Sequence, residues 1–389
     1  MKRVLVLDAN QRSALAATRS LGRRGVSVFT ADEIPSALAG CSRFSKHYLN
    51  YPSARLNPEA FIARIAEYVV THQIDIVFPM TELTTALLLR EQHRFPGVTF
   101  PFPALSAIEA LSNKCDLMRL AQSLRLPIPE TWFIENPAAL PDLSELPYPL
   151  VLKPGKSWVK LNGEWMRAAV QFAANPDIAQ NIINSGAVFQ SHPFMLQKQV
   201  AGTGQGVFAL YDHGTPIAFF SHRRLREKPP WGGVSVLSES TPVNPTLLAH
   251  ARALLEAVEW HGIAMVEFKV AEDGTPYLME INTRFWGSLQ LAIDAGVDFP
   301  WLLYKLACGQ PVTPVTRYKT GRRLRWLLGD LDSLYLVLRD RKTSVPSKLG
   351  TLTRFLWPAP FRTRHEINRW SDLGPFWWEL KQYIRELIG

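Results

Sequence analysis

The segment Met265-Val266-Glu267-Phe268-Lys269-Val270-Ala271-Glu272-Asp273-Gly274-Thr275-Pro276-Tyr277-Leu278-Met279-Glu280-Ile281-Asn282 sets two alternating runs on either side of Asp-Gly. That pattern is the strongest short-range signal for a β-hairpin. With Asp273-Gly274 as a two-residue turn, Glu272 faces Thr275 and Glu267 stands opposite Glu280. Period-two alternation then puts Glu267, Lys269, Leu278, Glu280 and Asn282 on one face, with Val266, Phe268, Val270, Tyr277, Met279 and Ile281 on the other. Facing carboxylates lie about 4.5 to 5.5 Å apart at Cβ and destabilise a sheet, so something positive belongs between them. Two carboxylates and the Asn282 carbonyl suit Mg²⁺, which binds through a few protein oxygens and substrate phosphates, with Mn²⁺ an alternative. The competing reading is a solvated face neutralised by Lys269.

Upstream, Arg3-Val4-Leu5-Val6-Leu7-Asp8 reads as a short buried strand, Ser13 to Leu21 as a helix, and Val26 to Phe29 as the next strand. Ile74 to Phe78 repeats the strand signal, and Leu83 to Glu91 the helical one, so a parallel sheet is predicted for residues 1 to about 105. Its first turn, Asp8-Ala9-Asn10-Gln11, lacks Gly-x-Gly-x-x-Gly, which argues against a dinucleotide site there. Ser106 to Leu124 has helical spacing, with Ser112 or Asn113 as a cap. Tyr148 to Pro154 and Phe194 to Val200 are strand-like, and residues 201 to 261 mix strand runs with a basic loop and one helix. This middle block reads as α+β with antiparallel strands.

Composition excludes several classes. With 389 residues, 47% hydrophobic and 20% charged, the chain buries a large core and is not disordered. The start Met1-Lys2-Arg3 and the lack of any long apolar run predict neither a secretory signal nor a membrane span, hence a cytoplasmic location. Cys41, Cys115 and Cys308 form no Cys-x-x-Cys, and the nine histidines show no pair at metal-ligand spacing, so disulfides and structural zinc are not expected. Residues 315 to 389 hold 15 Lys/Arg against 7 Asp/Glu, nearly all of the chain's +9. A body that is otherwise near neutral is not a nucleic-acid binder.

Four motifs in order now matter: Lys114 in Ser-Asn-Lys-Cys-Asp, Lys153 before Pro154, the strand Leu196-Gln197-Lys198-Gln199-Val200, and Glu267 followed by Glu280-Ile281-Asn282. Over residues 1 to about 310 the chain resembles the ATP-grasp superfamily. The resemblance implies α/β plus α+β: a Rossmann-like pre-ATP-grasp domain at 1–105, then a two-lobed ATP-grasp domain at 106–314. The small lobe spans about 130–200 and the large lobe about 201–314. A helical, basic C-terminal extension occupies 315–389. It further implies that Glu267, Glu280 and Asn282 bind metal. Lys114 and Lys153 would meet the ATP phosphates as point charges. The backbone near Lys198 and Val200 would read adenine, and Gln197 or Lys198, together with Gln205, would give ribose a neutral contact. One departure is the loop from Gly155 to Lys160, where the family is glycine-rich and this chain offers Lys156, Trp158 and Lys160.

Guanidinium groups clamp carboxylates and transferring phosphoryl groups. Arg224 and Arg226, beside Gly232-Gly233, and Arg284, two residues beyond Asn282, are the catalytic candidates. The resulting expectation is an ADP-forming carboxylate-amine ligase using ATP and Mg²⁺ on small-molecule carboxylate and amine substrates. Alternatives are a bicarbonate-activating enzyme of the carboxylase or carbamoyl-phosphate type, and a nucleotide-binding partner protein without turnover. Glu82 is a positional candidate for substrate selection.

In the extension, Leu327, Leu331, Leu334 and Leu338 recur at helical intervals, as do Phe376, Trp377, Leu380, Tyr383, Ile384 and Leu387. Helices docked on the body are the plainer reading; peripheral contact with the inner membrane face or an anionic partner is the other.

Overall fold

The computed structural model describes every residue except Ala138, Asn162, Trp231, Gly232, Lys342, Pro358, Pro360, Phe361 and Gly389. Strands β1 (Val4–Val6), β2 (Val28–Asp32), β3 (Ser45–Asn50) and β4 (Ile76–Phe78) lie parallel in the order β3-β2-β1-β4. Leu5 and Leu7 enter a core shared with α2 (Pro58–His72), whereas Val4 and Val6 enter one shared with α1 (Arg12–Gly22). Burial on both faces is why β1 and β4 read as unbroken apolar runs, whereas the edge strand β3 is largely exposed. At the first turn Asp8, with φ 52°, accepts hydrogen bonds from Met80 N (2.8 Å), Thr84 Oγ1 (2.7 Å) and the Tyr51 hydroxyl (3.2 Å). Its carboxylate ties β1 to the start of α3 (Glu82–Arg90).

The predicted helix 106–124 is two: α4 (Leu105–Ser112) and α5 (Lys114–Ser123), broken at Asn113, whose side chain caps α5 by accepting from Cys115 N. The break places Lys114 in the first turn of α5. Then come β5 (Thr131–Ile134), β6 (Leu150–Pro154), the hairpin β7 (Trp158–Leu161) and β8 (Glu164–Arg167), β9 (Gln171–Ala173), α6 (Pro176–Ser185), α7 (Ala187–Ser191) and β10 (Phe194–Lys198). The order β5-β10-β6-β9 is antiparallel throughout, and residues of α6 and α7 close its core.

The third sheet is built from β11 (Thr203–Asp212), β12 (Thr215–Lys228), β13 (Val234–Thr241), β14 (Gly262–Val270) and β15 (Pro276–Asn282). Around it lie α8 (Pro245–Glu256), α9 (Leu289–Ala295) and α10 (Phe299–Ala307). The hairpin at its edge departs from the predicted turn. Ala271 N donates to Thr275 O, so the loop is Glu272-Asp273-Gly274, with Gly274 at φ 85°. This is the three-residue loop with a left-handed third position. A bulge between Glu267 and Phe268 then restores the register: Phe268 pairs with Leu278, while Glu267 pairs with Glu280. Leu278 accordingly faces the core beside Val266 and Phe268, correcting its assignment to the acidic face.

The extension is not purely helical. β16 (Arg323–Arg325) and β17 (Thr363–His365) continue the large sheet to the order β15-β14-β11-β12-β13-β16-β17, with α11 (Leu327–Arg339), α12 (Val345–Leu356) and α13 (Gly374–Ile388) around them. Arg19 of α1, 1% exposed, donates to Asp372 Oδ2 (2.7 Å) and to the carbonyls of Glu366, Ile367 and Asp372 at 2.8 to 2.9 Å. The C-terminal segment thus clamps the first domain to the large sheet. None of the residues of α12 is buried, and Val345, Leu349 and Leu356 are exposed. No helix among the described residues is long and apolar enough to cross a membrane.

Candidate active site

At the edge hairpin, Asn282 Nδ2 donates to Glu267 Oε1 (3.4 Å) and Glu280 Oε1 (3.2 Å), so the three side chains converge. Arg224 reaches from β12 across β11 and donates through Nη2 to both Glu267 oxygens at 3.1 Å, while its Nη1 donates to Glu227 at 3.2 Å. Burial pushes the Glu267 carboxyl above its usual range; Arg224 opposes this and Glu280 adds to it.

Two lysines complete the cluster. Lys114 Nζ donates to Ser157 Oγ (3.0 Å) and lies 3.9 Å from Glu280 Oε2. Lys153, on β6, is lowered to about 8 by burial, with Glu280 resisting the shift and Lys114 adding to it. Desolvation disfavours its charged form, with the Glu280 and Glu267 carboxylates opposing that effect. The donor set of two carboxylates and one amide oxygen, with lysines alongside, fits a hard divalent cation next to phosphate. A cavity of about 290 Å³ opens on Glu267, Glu280 and Asn282, with Arg224, Arg284 and His222 in its wall. Burial lowers His222 to about 3, so its ring stays neutral, with Nε2 3.3 Å from Ser288 Oγ. Arg284 donates from Nη1 to Phe285 O at 3.0 Å.

Other predicted residues lie elsewhere. Arg226 is drawn away from the cavity: its Nε and Nη2 grip both Asp330 oxygens at 2.6 Å, making it an anchor for α11 rather than a member of the site. Sequence spacing could not rank it against Arg224, because a bulge separates their strand positions. Gln197 is turned inward, 1% exposed, and donates to Thr131 Oγ1 (2.9 Å). That burial leaves its side chain unavailable to ribose as placed. Lys198 is exposed, 4.0 Å from Glu130, and Val200 follows the end of β10. Gln205 sits on β11 between Phe268 and Arg223. Gly232 of the predicted Gly-Gly pair, with Trp231, lies outside the described residues, as does Asn162 of the loop after Lys153.

Three features escape a reading of the sequence. Arg12, at the start of α1, lines the same cavity. A second cavity of about 340 Å³ lies between α3, α4 and the β7–β8 hairpin, and Glu82, Lys156, Lys160 and Thr283 are among the residues that line it. The histidine spacing also hides a cluster, since folding stacks His213 on His261 (4.3 Å between rings) beside Asp212. Arg12 and Glu82 each follow a strand of the parallel sheet, where such folds place ligand contacts; that is the usable signal.

The chain thus combines a four-stranded parallel sheet, a four-stranded antiparallel sheet and a seven-stranded sheet carrying an acidic edge hairpin. The family model described as "ATP-grasp in the biosynthetic pathway with Ter operon" matches residues 190–329. Among solved structures, the chain is similar to a biotin carboxylase–β,γ-ATP complex from Campylobacter jejuni, at 15% identity and TM-score 0.64, covering 83% of this chain and 74% of that one. It is also similar to L-amino acid ligase from Bacillus licheniformis (16%, TM-score 0.61, 79% and 74%). N5-carboxyaminoimidazole ribonucleotide synthetase from Thermus thermophilus gives 16%, TM-score 0.61, 82% and 81%. No curated protein matches by sequence. The chain has the ATP-grasp fold, and residues 190–329 match an ATP-grasp family model.

Proposed function

We propose that the protein is an ATP-dependent carboxylate-amine ligase. The observation that carries this reading is the convergence of Glu267, Glu280 and Asn282 on one side with Lys114 and Lys153 beside them. The acids and Asn282 would hold Mg²⁺, which supplies charge neutralisation at the ATP phosphates. Lys114 and Lys153 would bear on the same phosphates, and the backbone near Lys198 and Val200 would hold adenine. Arg284 and Arg224 border the cavity in which a substrate carboxylate attacks the γ-phosphate. The O–P bond to ADP breaks as the acyl–phosphate bond forms; an amine then adds to the acyl carbon, and phosphate leaves with the amide C–N bond made. No protein nucleophile takes part, so positioning and electrostatics supply the rate. Neutral His222 and the apolar flank of Met265 and Trp286 limit water at the acyl carbon.

A screen of amino acids and small carboxylates for ADP release tests the reading. Turnover requiring both a carboxylate and an amine supports it. Release that depends on bicarbonate instead indicates a carboxylase-type enzyme, and nucleotide binding without release in any combination indicates a non-catalytic partner.

A further inference from the structure

The 290 Å³ cavity holds three guanidinium groups, and their partners differ. Arg224 is committed to Glu267 and Glu227. Arg284 stands beside Asn282, where the acyl phosphate would form. Arg12 comes from another domain and is built in from behind: its Nη1 donates to Glu366 Oε2 at 2.5 Å, and its guanidinium carbon lies 4.2 Å over the Trp326 ring. Glu366 is 3% exposed and belongs to the segment that Arg19 clamps. Among the described residues, Nε and Nη2 of Arg12 have no hydrogen-bond partner. A Cβ on Gly287 would stand 3.1 Å from Nη2, so any side chain there would crowd that nitrogen.

We infer that Arg12 is a specificity residue that binds a second, unreacting carboxylate on a small substrate. The inference rests on the ligase reading for the first carboxylate. A single activated carboxylate needs no further guanidinium once Arg284 faces it. An Arg fork with one edge fixed by Glu366 and a stacked Trp326 presents its free edge without further ordering, and that edge matches a planar carboxylate in two parallel hydrogen bonds. The same wall also offers neutral groups, the His222 ring with Ser288 and Ser235, which suit a short uncharged spacer rather than a third anion. The cavity, about 290 Å³, accommodates a substrate of amino-acid dimensions. The second carboxylate comes either from the acyl donor, as in a dicarboxylic acid, or from the acceptor, as in an amino acid.

Calorimetric titration of the full chain, with and without Mg²⁺ and a non-hydrolysable ATP analogue, tests this. The paired probes are succinate against succinamate, L-glutamate against L-glutamine, and glycine against glycinamide. The first pair reports a donor and the last an acceptor. Expected is at least a tenfold preference for the extra carboxylate in one pair, falling to within twofold in Arg12→Gln and only partly restored in Arg12→Lys. Because Arg12→Gln strips Glu366 of its partner, Gly287→Ala provides a second route: it crowds Nη2, leaves the Glu366 contact in place, and should cut the preference at least fivefold. No preference in any pair, or a preference unchanged in either Arg12→Gln or Gly287→Ala, overturns the inference. Loss of nucleotide binding with the carboxylate preference intact would instead sink the ligase reading alone.

Discussion

Replacing Arg19 with Met should destabilise the protein by about 3–5 kcal/mol, the range for breaking a buried ion pair from one side. Both partners are essentially dry: Arg19 and Asp372 side chains are each 1% exposed, and they meet at 2.7 Å. Met keeps most of the apolar volume, so packing loss is a minor part. The carbonyls of Glu366, Ile367 and Asp372 lose their shared donor as well, but those bonds depend on the same side chain and do not add independently. Asp372 keeps Ser42 Oγ (2.7 Å) and Arg43 N (2.9 Å), which holds the cost within that range. Urea unfolding of the single variants and of Arg19→Met with Asp372→Asn gives the coupling directly. The double variant should cost at least about 1 kcal/mol less than the sum of the singles. A loss below about 1 kcal/mol in Arg19→Met, or strict additivity, would refute the view that this pair clamps the C-terminal segment to the first domain.

Three further outcomes are expected. Arg226→Met should lower stability by about 1–3 kcal/mol, because Asp330 retains Arg325 at 2.6 Å, and should leave kcat within twofold; a large kcat loss would return Arg226 to the site. Lys153 titrates near 8 in the fold against 10.5 unfolded, so below pH 8 it is charged and burial penalises the folded state; stability from this group rises between pH 8 and 10.5. Phosphate favours the charged form, so ATP affinity should fall as pH rises through 8, with proton uptake on binding at pH 8.5; Lys153→Met should abolish both, and a flat profile in the wild type would refute this role. From Arg339 to Arg364 the chain carries seven Lys/Arg and one acid around the exposed stripe of α12, so flotation should recover it with phosphatidylglycerol vesicles and not with phosphatidylcholine alone. Glu substitutions at Leu349 and Leu356 should remove that binding, and wild-type failure to float would end the membrane reading.

Much of the site is legible in the sequence because its residues are close together or sit at strand positions with a fixed period. Glu267 and Glu280 come out opposite each other through two compensating errors: the loop is one residue longer than a two-residue turn, and the bulge returns the register. Alternation alone cannot reveal the bulge, so it puts Leu278 on the wrong face. Arg12 is absent from the sequence candidates, and the Asp330 contact of Arg226 is not foreseen, for a different reason. Their partners, Glu366 and Asp330, lie hundreds or about a hundred residues away, and no local pattern encodes such pairings. The strands β16 and β17 are missed because three residues carry too little periodicity to stand out beside amphipathic helices.

Magnesium-dependent ATP binding by Glu280→Gln, followed by calorimetry, tests the metal assignment most directly. Removing one of two facing carboxylates relieves repulsion, so the variant should fold at least as stably as the wild type. The expected result is at least a tenfold loss of affinity for ATP in the presence of Mg²⁺, with little change in its absence. A Glu280→Gln protein that binds and turns over ATP with undiminished magnesium dependence would contradict the account.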